Sequence, residues 1–180
     1  MEKIFEKYDI SLGTEKDLEE LGELYNLLND YLKDTVNYPG WIKGIYPTRE
    51  TAHDGIKAKS LFVMKLQNKI VASVILNHIS EDAYSQGQWN NFIDYEKIIV
   101  VRTFVVHPSH LKKSLGKKMM NFIKEYSINI QMKIIRLDVS ENNLPAVSLY
   151  EKSGYTYKGT VDFGLPYEHL KWFKLYELEL

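Results

Sequence analysis

A chain of 180 residues, 44% of them hydrophobic, is long enough for one domain (1–180) with a sizeable core. Its formal net charge of −1 gives no basic field for a nucleic-acid partner. The absence of cysteine excludes a disulfide framework, a thiolate nucleophile and cysteine metal sites. The opening MEKIFEKYDISLG lacks an apolar core of signal-peptide length, and no apolar run is long enough to span a bilayer, so the expected setting is cytoplasmic, with no membrane partner.

Ile4 to Leu12 reads as a first strand. Thr14 with Asp17 at the third helical position resembles a capping box. The helix it opens runs to about Leu32, with Leu18, Leu21, Leu24, Tyr25, Leu28, Tyr31 and Leu32 on its buried face. Val36 to Thr48 is punctuated by Pro39, Gly40, Gly44 and Pro47, yet carries Tyr38, Trp41, Ile45 and Tyr46. Such a loop is either pinned to the sheet by its aromatics or forms one wall of a pocket. Thr51 to Lys59 is a short second helix, and Leu61–Leu66 and Ile70–Leu76 are two strands joined by a tight turn. His78 to Asp94 is too long for a hairpin turn, and loops of that length in compact domains are often functional.

Glu96 to His107 is the next strand, rich in β-branched residues and ended by Pro108. A helix follows from about Lys112, with Leu115, Met119, Phe122, Ile123 and Tyr126 on one face. The turn holds Ser114 and Gly116 between Lys112, Lys113, Lys117 and Lys118. Unpaired N–H groups at a helix start, a small residue and positive charge make a phosphate site; a basic, solvated first turn is the other reading. Lys133 to Val139 is a buried strand. Asn143 suits an N-cap, Pro145 a first turn and Gly154 a helix stop, so a helix spans about Asn143 to Lys152. Tyr155–Phe163 and Lys171–Leu180 close the chain as two antiparallel strands. The order of strand, two helices, three strands, helix, strand, helix and two strands predicts an α/β fold with a mixed sheet.

The run Asn143-Leu-Pro-Ala-Val-Ser-Leu-Tyr-Glu-Lys-Ser-Gly-Tyr155 resembles a motif of the Gcn5-related N-acetyltransferase (GNAT) superfamily. So does a strand ending Val-His-Pro before a glycine-containing turn and a long helix. The resemblance covers roughly Leu61 to Leu180. It implies a GNAT-like, mainly antiparallel central sheet flanked by helices, whose fourth and fifth strands splay apart to hold acetyl-CoA as co-substrate. The wedge would lie between Phe104-Val105-Val106 and Leu137–Ser140. The family's turn is Gln/Arg-x-x-Gly-x-Gly/Ala; here Leu111, Ser114 and Gly116 occupy those positions, so one side chain and one glycine are replaced.

By this resemblance the backbone of Phe104, Val105 and Val106 pairs with the pantetheine arm, and Lys112, Lys113, Ser114, Leu115, Gly116 and Lys117 hold the pyrophosphate. Asn143 caps its helix and contacts the cofactor. Tyr150, protonated near neutral pH, is the expected acid for the departing thiolate. An alkyl ammonium is neutral in only about one molecule in a thousand near pH 7, so a base is required. The family's strand glutamate aligns with Val100, and Glu96 lies roughly 13 Å away along a strand. His78 and His107 titrate in the right range, but the sequence singles out no base.

The expected activity is transfer of an acetyl group to a primary amine of a small molecule or peptide by direct attack on the thioester. A non-catalytic acyl-CoA-binding or sensing module of the same fold is the alternative, and a homodimer is compatible with either. Acetylation of charged tRNA would require a basic groove, of which the composition gives no sign. Glu81, Asp82, Asp94 and Glu96, with Tyr84, Trp89 and Phe92, suggest a cationic acceptor near the long loop. A solvated acidic loop is the competing reading.

Overall fold

The computed structural model describes residues 8–90 and 93–180. Seven strands form one sheet in the order β1-β2-β3-β4-β5-β7-β6. They are β1 (Tyr8–Leu12), β2 (Leu61–Leu66), β3 (Lys69–Asn77), β4 (Ile98–Val106), β5 (Ile134–Ser140), β6 (Thr156–Asp162) and β7 (Trp172–Glu179). Helices α1 (Leu18–Asp34), α2 (Arg49–Lys57), α3 (Leu115–Asn129) and α4 (Leu144–Lys152) flank it. The β4–β5 pair is parallel and the other pairs are antiparallel. The element order is the expected one. Residues 4–7 of the expected first strand lie outside the described residues, as does Phe92.

Local chemistry sets the helix ends. Asp17 Oδ2 accepts from Thr14 N–H at 2.8 Å, closing the expected capping box before α1. The Asn143 side chain accepts from Ala146 N–H at 3.3 Å at the start of α4. Gly154 ends that helix with φ +90°, a conformation that costs glycine least. One start differs from expectation. α3 begins at Leu115 rather than Lys112, because Lys112 (φ +62°) and Ser114 (φ +61°) are left-handed and cannot belong to a right-handed helix.

The helices cover opposite faces. Leu21, Leu24 and Tyr25 of α1 pack with Ile56, Leu61, Val63 and Val105 on one face. Tyr31, expected on the same face, is exposed instead, near the end of the helix. Met119 and Ile123 of α3 pack with Val71, Leu137, Val147 and Tyr150 on the other. Each fully buried aliphatic side chain contributes roughly 1.5–3 kcal/mol, which holds the layers against the sheet. A third core, with Tyr84, Ile98, Ile134 and Leu175, lies beneath the segment between β3 and β4.

Two features of β4 open the sheet. Its pairing with β5 runs only from Ile98↔Ile134 to Val101↔Leu137. Beyond that, β4 continues with β3 and β5 continues with β7, so their facing edges part. The β3–β4 register also shifts between Ser73 and Ile75, where Thr103 adopts φ +48°. This is a bulge: Thr103 and Phe104 together stand opposite Val74. A β-branched residue in that conformation is strained. A hydrogen bond between the Thr103 and Tyr46 hydroxyls, 2.5 Å apart, holds it in place.

Candidate active site

A cavity of about 860 Å³ occupies the gap between the parted strands. Phe104 and Val106 line it from β4, and Asp138, Val139 and Ser140 from β5. The turn before α3 closes one end with Lys112, Ser114, Leu115, Gly116 and Lys117. Asn143 and Tyr150 of α4 line it too. Two of the expected contact residues do not. Val105 is fully buried on the opposite face, against the α1 core. The Lys113 side chain is absent from the lining.

The turn is built to receive an anion. Among the described residues, the N–H groups of Ser114, Leu115, Gly116 and Lys117 have no acceptor in the chain, and no side chain caps α3. Aligned at a helix start, such donors bind phosphate without any basic side chain, and Lys112 and Lys117 add charge. The left-handed Ser114 stands where the family carries glycine, which explains the glycine in physical terms. Gly116 serves helix packing as well: a Cβ there would lie 3.0 Å from Leu149 Cδ2 of α4.

At the other end lies a group that the sequence reading did not name as a site. Asp138 opens onto the cavity from β5, where the protein around it disfavours the charged form. This desolvation pushes its carboxyl up to about 6, against the lowering effects of Tyr84 and Arg102. The Tyr84 hydroxyl donates to Asp138 Oδ1 at 2.8 Å. Arg102 of β4 pairs with Glu81, and both line the cavity. Burial alone would lower the Arg102 pKa, but Glu81 and Asp138 more than offset this and raise it. Of the acidic residues noted in the long loop, Glu81 faces the cavity; Asp82, Asp94 and Glu96 do not.

A chain of contacts fixes that loop. Trp89 Nε1 donates to the Tyr84 carbonyl at 2.6 Å, and its ring lies 5.6 Å from the Tyr84 ring. The Arg136 guanidinium sits 4.1 Å over Trp89 and 5.7 Å over Tyr95. Its Nε donates to buried Glu177 at 2.8 Å. Glu177 also faces Lys158 Nζ at 3.5 Å. A buried ion pair between the neighbouring strands β5 and β7 thus anchors the loop that supplies Tyr84 and Glu81.

The histidines play other parts. His78 Nδ1 donates to the Ile98 carbonyl at 2.7 Å, tying the loop to β4. His107 Nδ1 accepts from Ser109 N–H at 3.2 Å, and burial lowers its pKa. Neither lines the cavity. Tyr150 does, and no hydrogen-bond partner among the described residues perturbs its hydroxyl. Burial, and then the nearby Asp138, push its pKa up, so it remains a proton donor.

A family model described as the acetyltransferase (GNAT) family matches residues 21–155. The chain belongs to the GNAT family. The GNAT chain is 32% identical over 130 residues to UPF0157 protein YqkA of Bacillus subtilis (strain 168), covering 70% of this chain and 34% of that protein. It is 34% identical over 71 residues to streptothricin acetyltransferase of Escherichia coli, covering 39% of this chain and 37% of that one. The chain therefore spans about a third of the length of these curated relatives. Its fold is that of yncA from Salmonella typhimurium, solved with acetyl-CoA as its cofactor, at a TM-score of 0.69 and 14% identity, with 96% of this chain and 94% of that one covered. Among the described residues no helix is long and apolar enough to cross a membrane.

Proposed function

We propose that residues 1–180 act as a single N-acetyltransferase domain that moves an acetyl group from acetyl-CoA to a primary amine of a small molecule or peptide. One observation carries the reading: Asp138 and Tyr150 open onto the same cavity, and an anion-binding helix start closes that cavity at one end. The residues fit the co-substrate. The Ser114–Lys117 N–H groups would hold the pyrophosphate, and the unpaired edge of β4 beyond Val101 would pair with the amide-bearing arm as an added strand.

Bound acetyl-CoA supplies the acyl group as a thioester, whose C–S bond breaks as the new N–C bond forms. The acceptor enters as an ammonium cation, attracted by the Asp138 carboxylate. The Asp138 carboxylate takes one proton from the ammonium and passes it to solvent, and the attacking nitrogen loses a second proton to solvent as the amide forms. With a pKa near 6 Asp138 is mostly ionised at neutral pH, yet basic enough to accept a proton. Tyr150 donates its hydroxyl proton to the leaving sulfur and regains one from solvent. The overall products are an amide, CoA thiol and one proton. Tyr84 and Arg102 hold Asp138 in its working state.

The alternative of a sensing module drew its support from the replaced Gln/Arg at Leu111 and the missing glutamate at Val100. On the second point, Asp138 lines the cavity and supports a carboxyl in the role of base. The test is release of free CoA from acetyl-CoA with a panel of amines. Amine-dependent release supports the transferase, whereas binding of acetyl-CoA without release for any amine supports the sensing module.

A further inference from the structure

The acceptor half of the cavity carries more apolar wall than an ammonium group needs. Leu28 comes from α1, and Trp41 and Ile45 come from the segment between α1 and α2. From the far side come Phe163 and Phe173, whose rings stack with centroids 4.1 Å apart and planes 14° apart. The two sides touch each other. A Cβ on Gly40 would lie 2.8 Å from Leu170 Cδ1, and His169 Nε2 lies 3.3 Å from the Gly40 carbonyl. The acceptor half is therefore walled by two contacting loops.

Its charge is nearly spent. Among the described residues that line the cavity, the carboxylates are Glu81 and Asp138. Glu81 is paired with Arg102. Asp138, on the reading above, is occupied by the reacting amine. On the adjoining segments, Asp30 is paired with Lys43 at 2.6 Å and Asp162 with Lys171 at 3.4 Å, while Asp34 and Glu168 are exposed and stand outside the lining. A second ammonium in this half would lose its water without gaining a counter-ion, which is strongly unfavourable. An apolar body would instead bury surface against Trp41, Phe163 and Phe173.

We propose that the acceptor is a monoamine whose amino group is carried on an apolar body of aromatic size, an arylalkylamine, and not a polyamine. The inference rests on the transferase reading and narrows it. The test compares kcat/KM for 2-phenylethylamine and tryptamine with that for spermidine and cadaverine, following CoA release by the purified full chain. The expected result is a preference of at least about tenfold for the aryl amines, the smallest discrimination that one added apolar group usually gives. Ile45→Glu, at a half-exposed lining position, is expected to narrow the gap by raising the value for spermidine. An equal or higher kcat/KM for spermidine or cadaverine in the unaltered protein would overturn the inference and leave the transferase standing. CoA release with neither class, in protein that acetyl-CoA stabilises against heat, would overturn this inference; the transferase reading falls with it only if every amine and peptide of the wider panel fails as well.

Discussion

Replacing Asp138 by Asn separates a catalytic carboxyl from a structural one, because the two effects have opposite signs. Burial raises the Asp138 pKa from 3.8 to about 6. The folded state thus binds this proton more tightly than the unfolded state. Its stabilising contribution is full below the unfolded value and is lost as pH rises through about 6. A shift of roughly 2 units corresponds to about 3 kcal/mol, and water in the cavity reduces the usable part to about 1–3 kcal/mol. Asp138→Asn removes that loss and keeps an oxygen for the Tyr84 hydroxyl. Near pH 8 the variant should melt roughly 2–10 °C above the unaltered protein; near pH 4.5 most of the difference should vanish. At the same time kcat should fall roughly 10²- to 10⁴-fold, and the acid limb of kcat/KM near 6 should disappear. The assays are thermal unfolding at both pH values and CoA release across the range. A variant that keeps its activity and acid limb, or that loses stability equally at both pH values, would refute the assignment.

Tyr84→Phe removes the hydrogen bond that favours the Asp138 carboxylate, so the acid limb should move up by roughly one unit, as read from a pH–rate profile. Tyr150→Phe should lower kcat on the order of 10²-fold with little change in acetyl-CoA affinity, measured by calorimetry beside steady-state kinetics. Ser114→Gly should raise stability by up to about 1 kcal/mol, since it relieves a left-handed non-glycine residue, and should preserve acetyl-CoA binding; denaturant melts with and without acetyl-CoA check both. Gly116→Glu should abolish the thermal shift caused by acetyl-CoA, because it places bulk and negative charge among the phosphate donors.

The Asn143–Tyr155 run was legible because cap, proline, apolar face and terminating glycine are local signals, and the helix they describe is the observed α4. The phosphate turn was legible in place but not in path. Nothing in its composition shows that Lys112 and Ser114 turn left-handed and delay α3 to Leu115. Asp138 was read as one more residue of a buried strand. Its partner Tyr84 lies 54 residues away, and desolvation is a property of the assembled fold. The bulge at Thr103 carries no glycine or proline to announce it, and it rests on a hydroxyl from Tyr46 in another segment. The acidic loop gave charge without direction. Glu81 faces the cavity because Arg102 holds it there, while Asp82 lies outside the lining.

Direct acetyl transfer from thioester to amine within the β4–β5 cavity passes through no acylated protein. Its most direct test is a rapid-quench reaction with acetyl-CoA labelled in the acetyl group and 2-phenylethylamine as acceptor, separating protein, CoA and amine after each interval. Label is expected in the amide product in step with free CoA, with none on the protein. Label accumulating on the chain, or CoA appearing without acetylated amine, would contradict it.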